Sequence, residues 1–357
     1  MGKVILYSKS ADTRARFVRA AFEQRRPIGV NRIAYLAPKK FIADLARRIP
    51  EAEFHAYEDV TKSNDLFNSA DDRTLLVFDR VSRYKLITSN TFVRLSRLSA
   101  LYRHKILVDI VPFTSEIQYL YSPLAFIDRG ILGYQHWYSF RENNLEQTPD
   151  GPVRAFDYRL LASKMAPYVD IDYREFVGTQ VQTVECPLTQ DEAAEYQQLR
   201  DRLFAENRTA QPIITALADW TNIRPSRYAA LRELLSRLSG RTVVYTNLSG
   251  HNRRLQRAFP GLETRSFYDA NGKEHEYDNI ILFEAPIVRG YLFLDVLANI
   301  RPDCGVYLFL APNSTVDKLL YRRMVSEFTA INEFTRVLYD TIHGAKSQSR
   351  TQLRLGL

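Results

Sequence analysis

The sequence predicts an α/β fold with parallel sheets in two lobes, on three observations. Short apolar runs recur along the chain, stretches of helical period separate them, and 357 residues with 45% apolar side chains suffice for two buried cores. The runs Val4-Ile5-Leu6-Tyr7, Ile33-Ala34-Tyr35-Leu36, Leu75-Leu76-Val77-Phe78 and Ile106 to Val111 have the length and continuity of strands buried on both faces. Between them, Thr13 to Gln24 and Lys39 to Arg48 space their apolar residues three and four apart, as amphipathic helices require. That alternation implies a parallel sheet covered on both sides by helices.

The alternation breaks between about residues 120 and 225, where Tyr, Pro and charged residues mix without strand spacing, so this stretch reads as a helical insertion followed by a connector. Within it, Thr189-Gln190-Asp191-Glu192 has the form of a capping box, in which the Thr hydroxyl and Glu carboxylate satisfy the first amides of a helix. Alternation resumes after Pro225, with a helix over Arg227 to Leu238 and strands at Thr242 to Thr246, Asn279 to Phe283 and Val306 to Leu310. Ser314-Thr315-Val316-Asp317 then opens a capped final helix. The expected division is a first lobe over 1–180 with its insertion from about 120, a connector over 181–224, a second lobe over 225–344, and a basic tail over 345–357 carrying Lys346, Arg350 and Arg354.

Composition narrows the function classes. Lys and Arg number 49 against 41 Asp and Glu, a net charge of +8 that suits a polyanionic partner without proving one. Two cysteines, Cys186 and Cys304, are too few and too far apart for a disulfide framework, and the six histidines have no ligand spacing, so no metal site is expected. No run approaches the ~18 apolar residues of a membrane span, and the apolar start of the chain is too short for a signal-peptide core. The expectation is an intracellular protein without a membrane partner.

An open parallel sheet binds ligands at the carboxyl ends of its strands. After the first strand comes Ser8-Lys9-Ser10-Ala11-Asp12-Thr13, which has a Lys-Ser pair but lacks the glycines that turn backbone amides inward around phosphate. Lys9 and Ser10 are therefore at most a remnant of a phosphate loop. The run Leu75 to Phe78 delivers Asp79 at its end, followed by Arg80-Val81-Ser82-Arg83-Tyr84-Lys85.

This last segment resembles superfamily-two helicases of the Swi/Snf type, which carry an apolar strand, Asp-Glu-Ala-His and a basic stretch. Further segments resemble the family in order: Ala37-Pro38-Lys39-Lys40, Ile106 to Pro112, Glu116 to Asp128, Leu132 to Phe140, Leu160 to Pro167, Thr183 to Thr189, and Val306 to Asp317. Together they cover about residues 30 to 330. The resemblance implies two RecA-like lobes in tandem, ATP with magnesium as cofactors, and a nucleic-acid track. It also implies catalytic residues that this chain lacks. Arg80 stands where the family has the Glu that activates water, and an arginine cannot act as a base there. Ser82 holds the His position. Of two expected finger arginines, Arg301 is the single candidate match, with Ala298 in the other place. The Gly-rich segment expected before Ile280 is charged and polar instead.

Loss of glycines, base and finger together removes phosphate binding, water activation and transition-state stabilisation. The expectation is a degenerate, non-catalytic protein that needs no cofactor and binds DNA, duplex in preference to RNA, or serves an active helicase or nuclease as a subunit. Candidate nucleic-acid contacts are Lys39, Lys40, Arg83, Lys85, Thr246, Asn247, Ser249 and Arg253, all placed on strand-end loops or just beyond them. Arg14, Arg16, Arg19, Arg25 and Arg26 read as a positive helix face, and Tyr134, His136, Trp137, Tyr138 and Phe140 as a packing cluster rather than a base-stacking one. Two other readings stay open: weak or partner-completed ATP turnover through Lys9, Ser10, Asp79 and Arg301, and a protein scaffold with no affinity for nucleic acid.

Overall fold

The continuous apolar runs become the interior strands of two parallel sheets, because helices on both faces leave those strands no contact with water. The computed structural model describes residues 3–60, 62–146, 154–172, 181–206, 209–247, 249–270, 273–284, 290–301 and 303–344. Two units divide the chain, one of Met1–Tyr173 with Ala330–Leu357 and one of Arg174–Thr329.

The first unit holds β1 (Ile5–Ser8), β2 (Arg32–Ala37), β3 (Glu53–Ala56), β4 (Thr74–Asp79), β5 (His104–Asp109), a small antiparallel pair β6 (Leu145–Glu146) and β7 (Arg154–Ala155), and β8 (Val169–Asp172). Its sheet runs β3-β2-β4-β5-β1-β8, and every adjacent pair in it is parallel. All six residues of β4 are buried. The register sets Tyr7 beside Asp109 and Asp79 beside Val108, so the ends of β1, β4 and β5 converge on one edge. The helix Ala11–Glu23 covers one face through Ala15, Val18 and Ala21, which join Val30, Tyr35, Phe41, Leu75 and Val108 in one core.

The second unit holds β9 (Val181–Glu185), β10 (Thr242–Thr246), β11 (Glu263–Ser266), β12 (Asn279–Leu282) and β13 (Gly305–Leu310) in the order β11-β10-β12-β13-β9, again all parallel. Val244, Ile281 and Phe309 face Leu217, Leu231 and Leu255 from the helices Ala210–Asn222, Pro225–Arg237 and Ser249–Ala258. The capping box forms as the sequence predicts. Glu192 accepts a bond from the Thr189 amide at 2.9 Å and another from the Ser226 amide at 3.2 Å, which ties the helix Gln190–Ala205 to the helix Pro225–Arg237.

Two differences from the sequence reading stand out. The stretch from 120 to 225 supplies an edge strand to each sheet, β8 to the first and β9 to the second. Both are short, and β9 is largely solvent-facing, so neither carries the apolar run that marks an interior strand. The final helix, Thr315–His343, is 29 residues long. Val316 and Leu320 pack into the core of the second unit, whereas Phe334 belongs to the first unit and packs on Phe113 and Tyr158. None of the described helices is long and apolar enough to cross a membrane. The expected basic tail lies outside the described residues.

Candidate functional site

At the carboxyl edge of the first sheet, β1 ends at Ser8 and the next helix starts at Ala11, so only Lys9 and Ser10 lie between them. A turn of two residues has no length to wrap a phosphate, and its polar groups are already engaged. The Ser10 hydroxyl caps the helix by accepting from the Thr13 amide at 3.1 Å, and the Ser10 amide donates to the Ser8 hydroxyl at 3.1 Å. The Ser8 hydroxyl in turn donates to Asp172 at the end of β8, at 3.1 Å.

Arg14 fills the space behind this turn. It stands one helical turn before Val18 and two before Ala21, on the stripe that faces the sheet, and it is 1% exposed. Its Nη1 donates to the carbonyls of Ser8 at 2.6 Å and Lys9 at 3.0 Å, and its Nε lies 3.7 Å from Oδ1 of Asp79. The positive face expected of this helix therefore loses its first member to the interior. Of the others, Arg19 pairs with Glu51, Arg26 with Glu23, and Arg16 donates to the Thr13 hydroxyl.

Asp79 is fully buried at the end of β4. The Tyr35 hydroxyl donates to its Oδ2 at 2.9 Å, and the Tyr57 hydroxyl to its backbone carbonyl at 3.0 Å. Burial, reinforced by the Asp79 charge, pushes both phenols well above their ordinary pKa, so they remain donors. Arg80 takes a left-handed backbone, φ 57°, and lays its guanidinium over the Phe41 ring at 3.6 Å while its Nε stays 4.0 Å from Asp79. Asp79 thus faces two guanidinium groups and two tyrosines in a site closed to water. Next to it, Asp109 ends β5 and accepts the amides of Ser82 at 2.9 Å and Ile110 at 2.7 Å. Burial pushes its carboxyl up to about 6, with the Asp79 charge adding to the rise and the two amides opposing it.

The carboxylate that would hold a metal lies beside the guanidinium groups of Arg14 and Arg80, although its Oδ1 makes no hydrogen bond, and two positive charges at that distance oppose a divalent cation. The Arg14 guanidinium also takes the carbonyls of the turn where a phosphate loop would lie. Arg301, the finger candidate, lies ahead of β13 at the amino end of the second sheet. There it donates to Asp278 at 2.6 Å and pairs with Asp303 at 3.4 Å. That edge is opposite the one where an α/β sheet holds its ligand.

The nucleic-acid candidates of the first unit do gather at the carboxyl edge. Lys39 and Lys40 open the helix Lys39–Arg48 just beyond β2, where the Lys39 amide donates to Glu58 at 3.2 Å and the Lys40 ammonium lies 5.0 Å from the Phe41 ring centre. Arg83 closes a short turn after β4. Lys85 reaches the Thr114 carbonyl at 3.4 Å and the Ser115 hydroxyl, and stands over the Tyr119 ring at 4.4 Å. In the second unit Thr246 ends β10 and is buried against Asn252, Asn247 donates its amide to Glu284 at 2.7 Å, and Arg253 is exposed. The Ser249 side chain lies outside the described residues. In the aromatic cluster, Phe140 is buried against Tyr121 and Tyr134, which is packing, while Tyr138 is exposed.

Two features of the second unit had no counterpart in the sequence reading. Arg227 is 2% exposed and repeats the chemistry of Arg14, donating to the carbonyls of Phe283 at 2.7 Å and Phe309 at 3.2 Å and to Asp317 at 2.7 Å. It precedes Leu231 by one turn on the stripe facing the core, the same signal that marks Arg14. His251 donates to or accepts from the buried Glu284 and lies 3.7 Å from Asp219. Burial works against its charged form, but the bond to Glu284 and the two carboxylate charges prevail and raise its pKa.

The sequence matches no family model and no curated protein. Solved structures are similar in fold. The ATP-dependent type ISP restriction-modification enzyme LlaBIII, bound to DNA, aligns over 93% of this chain and 28% of its own, with a TM-score of 0.51 at 9% identity. The SWI2/SNF2 ATPase core of Sulfolobus solfataricus in complex with double-stranded DNA aligns over 98% and 93%, with a TM-score of 0.43 at 12% identity. The Hef helicase domain of Pyrococcus furiosus aligns over 90% and 94%, with a TM-score of 0.46 at 12% identity. With the sheet orders above, the first of these likenesses is one of fold, an α/β architecture of two RecA-like parallel-sheet lobes.

Three outcomes are expected. Asp79→Ala leaves two guanidinium groups buried without a counter-charge and costs about 3–5 kcal/mol in urea unfolding. Arg14→Met combined with Asp79→Asn costs less than the sum of the two single changes, because charge and counter-charge leave together. For Asp109 the folded-state pKa lies above the unfolded one, so its contribution favours the fold at low pH and is lost as pH rises from about 4 through about 6. Across that window the wild type should lose stability with rising pH relative to Asp109→Asn; parallel profiles for the two contradict this.

Proposed function

We propose that this chain is a catalytically degenerate, helicase-like protein that binds duplex DNA, by itself or as the non-catalytic subunit of a nucleic-acid-processing complex. One observation carries the loss of catalysis. The Arg14 guanidinium is buried among the carbonyls of Ser8 and Lys9 and the carboxylate of Asp79, where a nucleotide-binding lobe of this fold would put phosphate and metal. Arg80 in place of a general base, and Arg301 held by Asp278 at the far edge of its sheet, support the same reading.

Support for DNA comes from the net charge of +8 and from Lys39, Lys40, Arg83 and Lys85, which meet at one edge of the first sheet. The LlaBIII enzyme, similar in fold, is itself bound to DNA. Partner-completed ATP turnover has no such support, since the Ser10 hydroxyl caps the helix, the Lys9 carbonyl accepts from Arg14 and the Asp79 carboxylate accepts from Tyr35.

Titration of the full chain with ATP and magnesium, with and without duplex DNA, tests the reading. Up to about 1 mM nucleotide, equivalent to about 4 kcal/mol of binding, no saturable heat and no phosphate release are expected. Micromolar ATP binding or DNA-stimulated phosphate release overturns the degenerate assignment. Gel shifts that do not weaken with salt would favour a scaffold role over DNA binding.

A further inference from the structure

The second unit carries a cluster of cations on one helix, whereas many of its arginines are paired with carboxylates. Arg224 pairs with Glu195, Arg237 with Glu233, Arg241 with Glu263 and Glu276, Arg265 with Glu263, and Arg301 with Asp278. On the helix Ser249–Ala258 the pattern changes. Arg253, Arg254 and Arg257 are exposed, and among the described residues none of them makes an ion pair or a side-chain hydrogen bond. The helix contains no Asp or Glu to neutralise them. Their spacing of one, three and four puts all three on one side of the helix, away from the buried His251 and Leu255.

A fourth guanidinium stands beside them. Arg232, exposed on the helix Pro225–Arg237, lies 5.6 Å from the Phe259 ring centre. Tyr228 of the same helix stacks on Phe259 at 6.0 Å, and the charge of Arg254 reaches Tyr228. The two helices therefore present one cationic face, edged by a cation–π contact that holds Arg232 in place.

We propose that this face, Arg253, Arg254 and Arg257 with Arg232 beside them, contacts the phosphate backbone of duplex DNA. The proposal rests on the DNA-binding reading above and assigns it a surface. Charge complementarity argues for phosphate: Asp219 lies within electrostatic reach of Arg254, but among the described residues none of the three helix arginines is held in a salt bridge, which leaves their guanidinium groups available to phosphate oxygens, the commonest contacts of protein–DNA interfaces. The exposed positions of the helix, apart from the small Ala258, are Arg253, Arg254, Gln256 and Arg257. They offer no large apolar anchor of the kind that centres a protein–protein interface, and no exposed aromatic on which an unpaired base would stack. A positively charged surface without such groups is the kind that tracks a duplex backbone.

The test measures binding of the full chain to a fluorescent duplex between about 50 and 200 mM salt, a range over which phosphate binding weakens steeply. The variant combines Arg253→Gln, Arg254→Gln and Arg257→Gln. The control combines Arg26→Gln, Arg47→Gln and Arg237→Gln, which removes the same charge from arginines already paired with Glu23, Asp44 and Glu233. Thermal unfolding by circular dichroism confirms that both triple variants fold. The proposal expects the slope of log affinity against log salt to become shallower by about 0.9 for each phosphate that the variant no longer neutralises, and to stay near wild type in the control. A variant slope equal to wild type, or an equal change of slope in variant and control, overturns the assigned face while DNA binding stands. A wild-type chain with no salt-dependent affinity for duplex overturns the DNA-binding reading itself.

Discussion

The pairing of Arg14 with Asp79, almost wholly removed from water, constrains everything around the carboxyl edge of the first sheet. Two opposite charges in such a place persist only if both remain paired and their other polar groups find partners. The chain meets that condition in part and from several elements at once, leaving Oδ1 of Asp79 and Nε of Arg14 without a hydrogen bond among the described residues. The guanidinium donates to the last carbonyls of β1 and its turn, Tyr35 donates to the carboxylate, and Arg80 adds a second positive charge while resting on Phe41. The turn between β1 and its helix is two residues long, and the guanidinium satisfies the carbonyls on both sides of it.

The second unit reaches the same end by the same chemistry. Arg227 comes from a covering helix, donates to the carbonyls at the ends of β12 and β13, and pairs with Asp317, which also accepts the Ala311 amide at 2.9 Å. Strand-end carbonyls at this edge of an α/β sheet must be satisfied by ligand, water or side chain. A guanidinium with five donors does so for two strands simultaneously. Strand-end amides are matched in a complementary way. Glu58 accepts the amide of Lys39 after β2, and Glu284 accepts that of Asn247 after β10. One strand-end amide next to each sheet is thus held by the protein's own carboxylate.

Much of this fold is legible in the sequence because interior strands must be apolar on both faces. β2, β4, β5, β10, β12 and β13 appear as uninterrupted runs, and the helix Lys39–Arg48 and the capped helix starts fall where spacing and cap residues put them. The edge strands β3, β8, β9 and β11 escaped, since one exposed side lets Glu, Gln, Asp and Arg into them and erases the run. The site was legible in part. Asp79 and Arg80 are marked by the strand that delivers them, but Arg14 reads with the surface, where arginine usually lies, and Arg227 only as the start of a helix. Their positions one turn before Val18 and Leu231 were the available signal. Arg301 matches the finger by residue type and order along the chain, which carry no information about which edge of the sheet a loop occupies.

A crystal structure of the chain grown with magnesium and a non-hydrolysable ATP analogue tests this account at its centre. The account predicts the Arg14 guanidinium within hydrogen-bonding distance of the Ser8 and Lys9 carbonyls and beside Asp79, with no triphosphate at the turn after β1. Triphosphate bound along Lys9 to Thr13, with Arg14 swung away and a metal ion on Asp79, would contradict it.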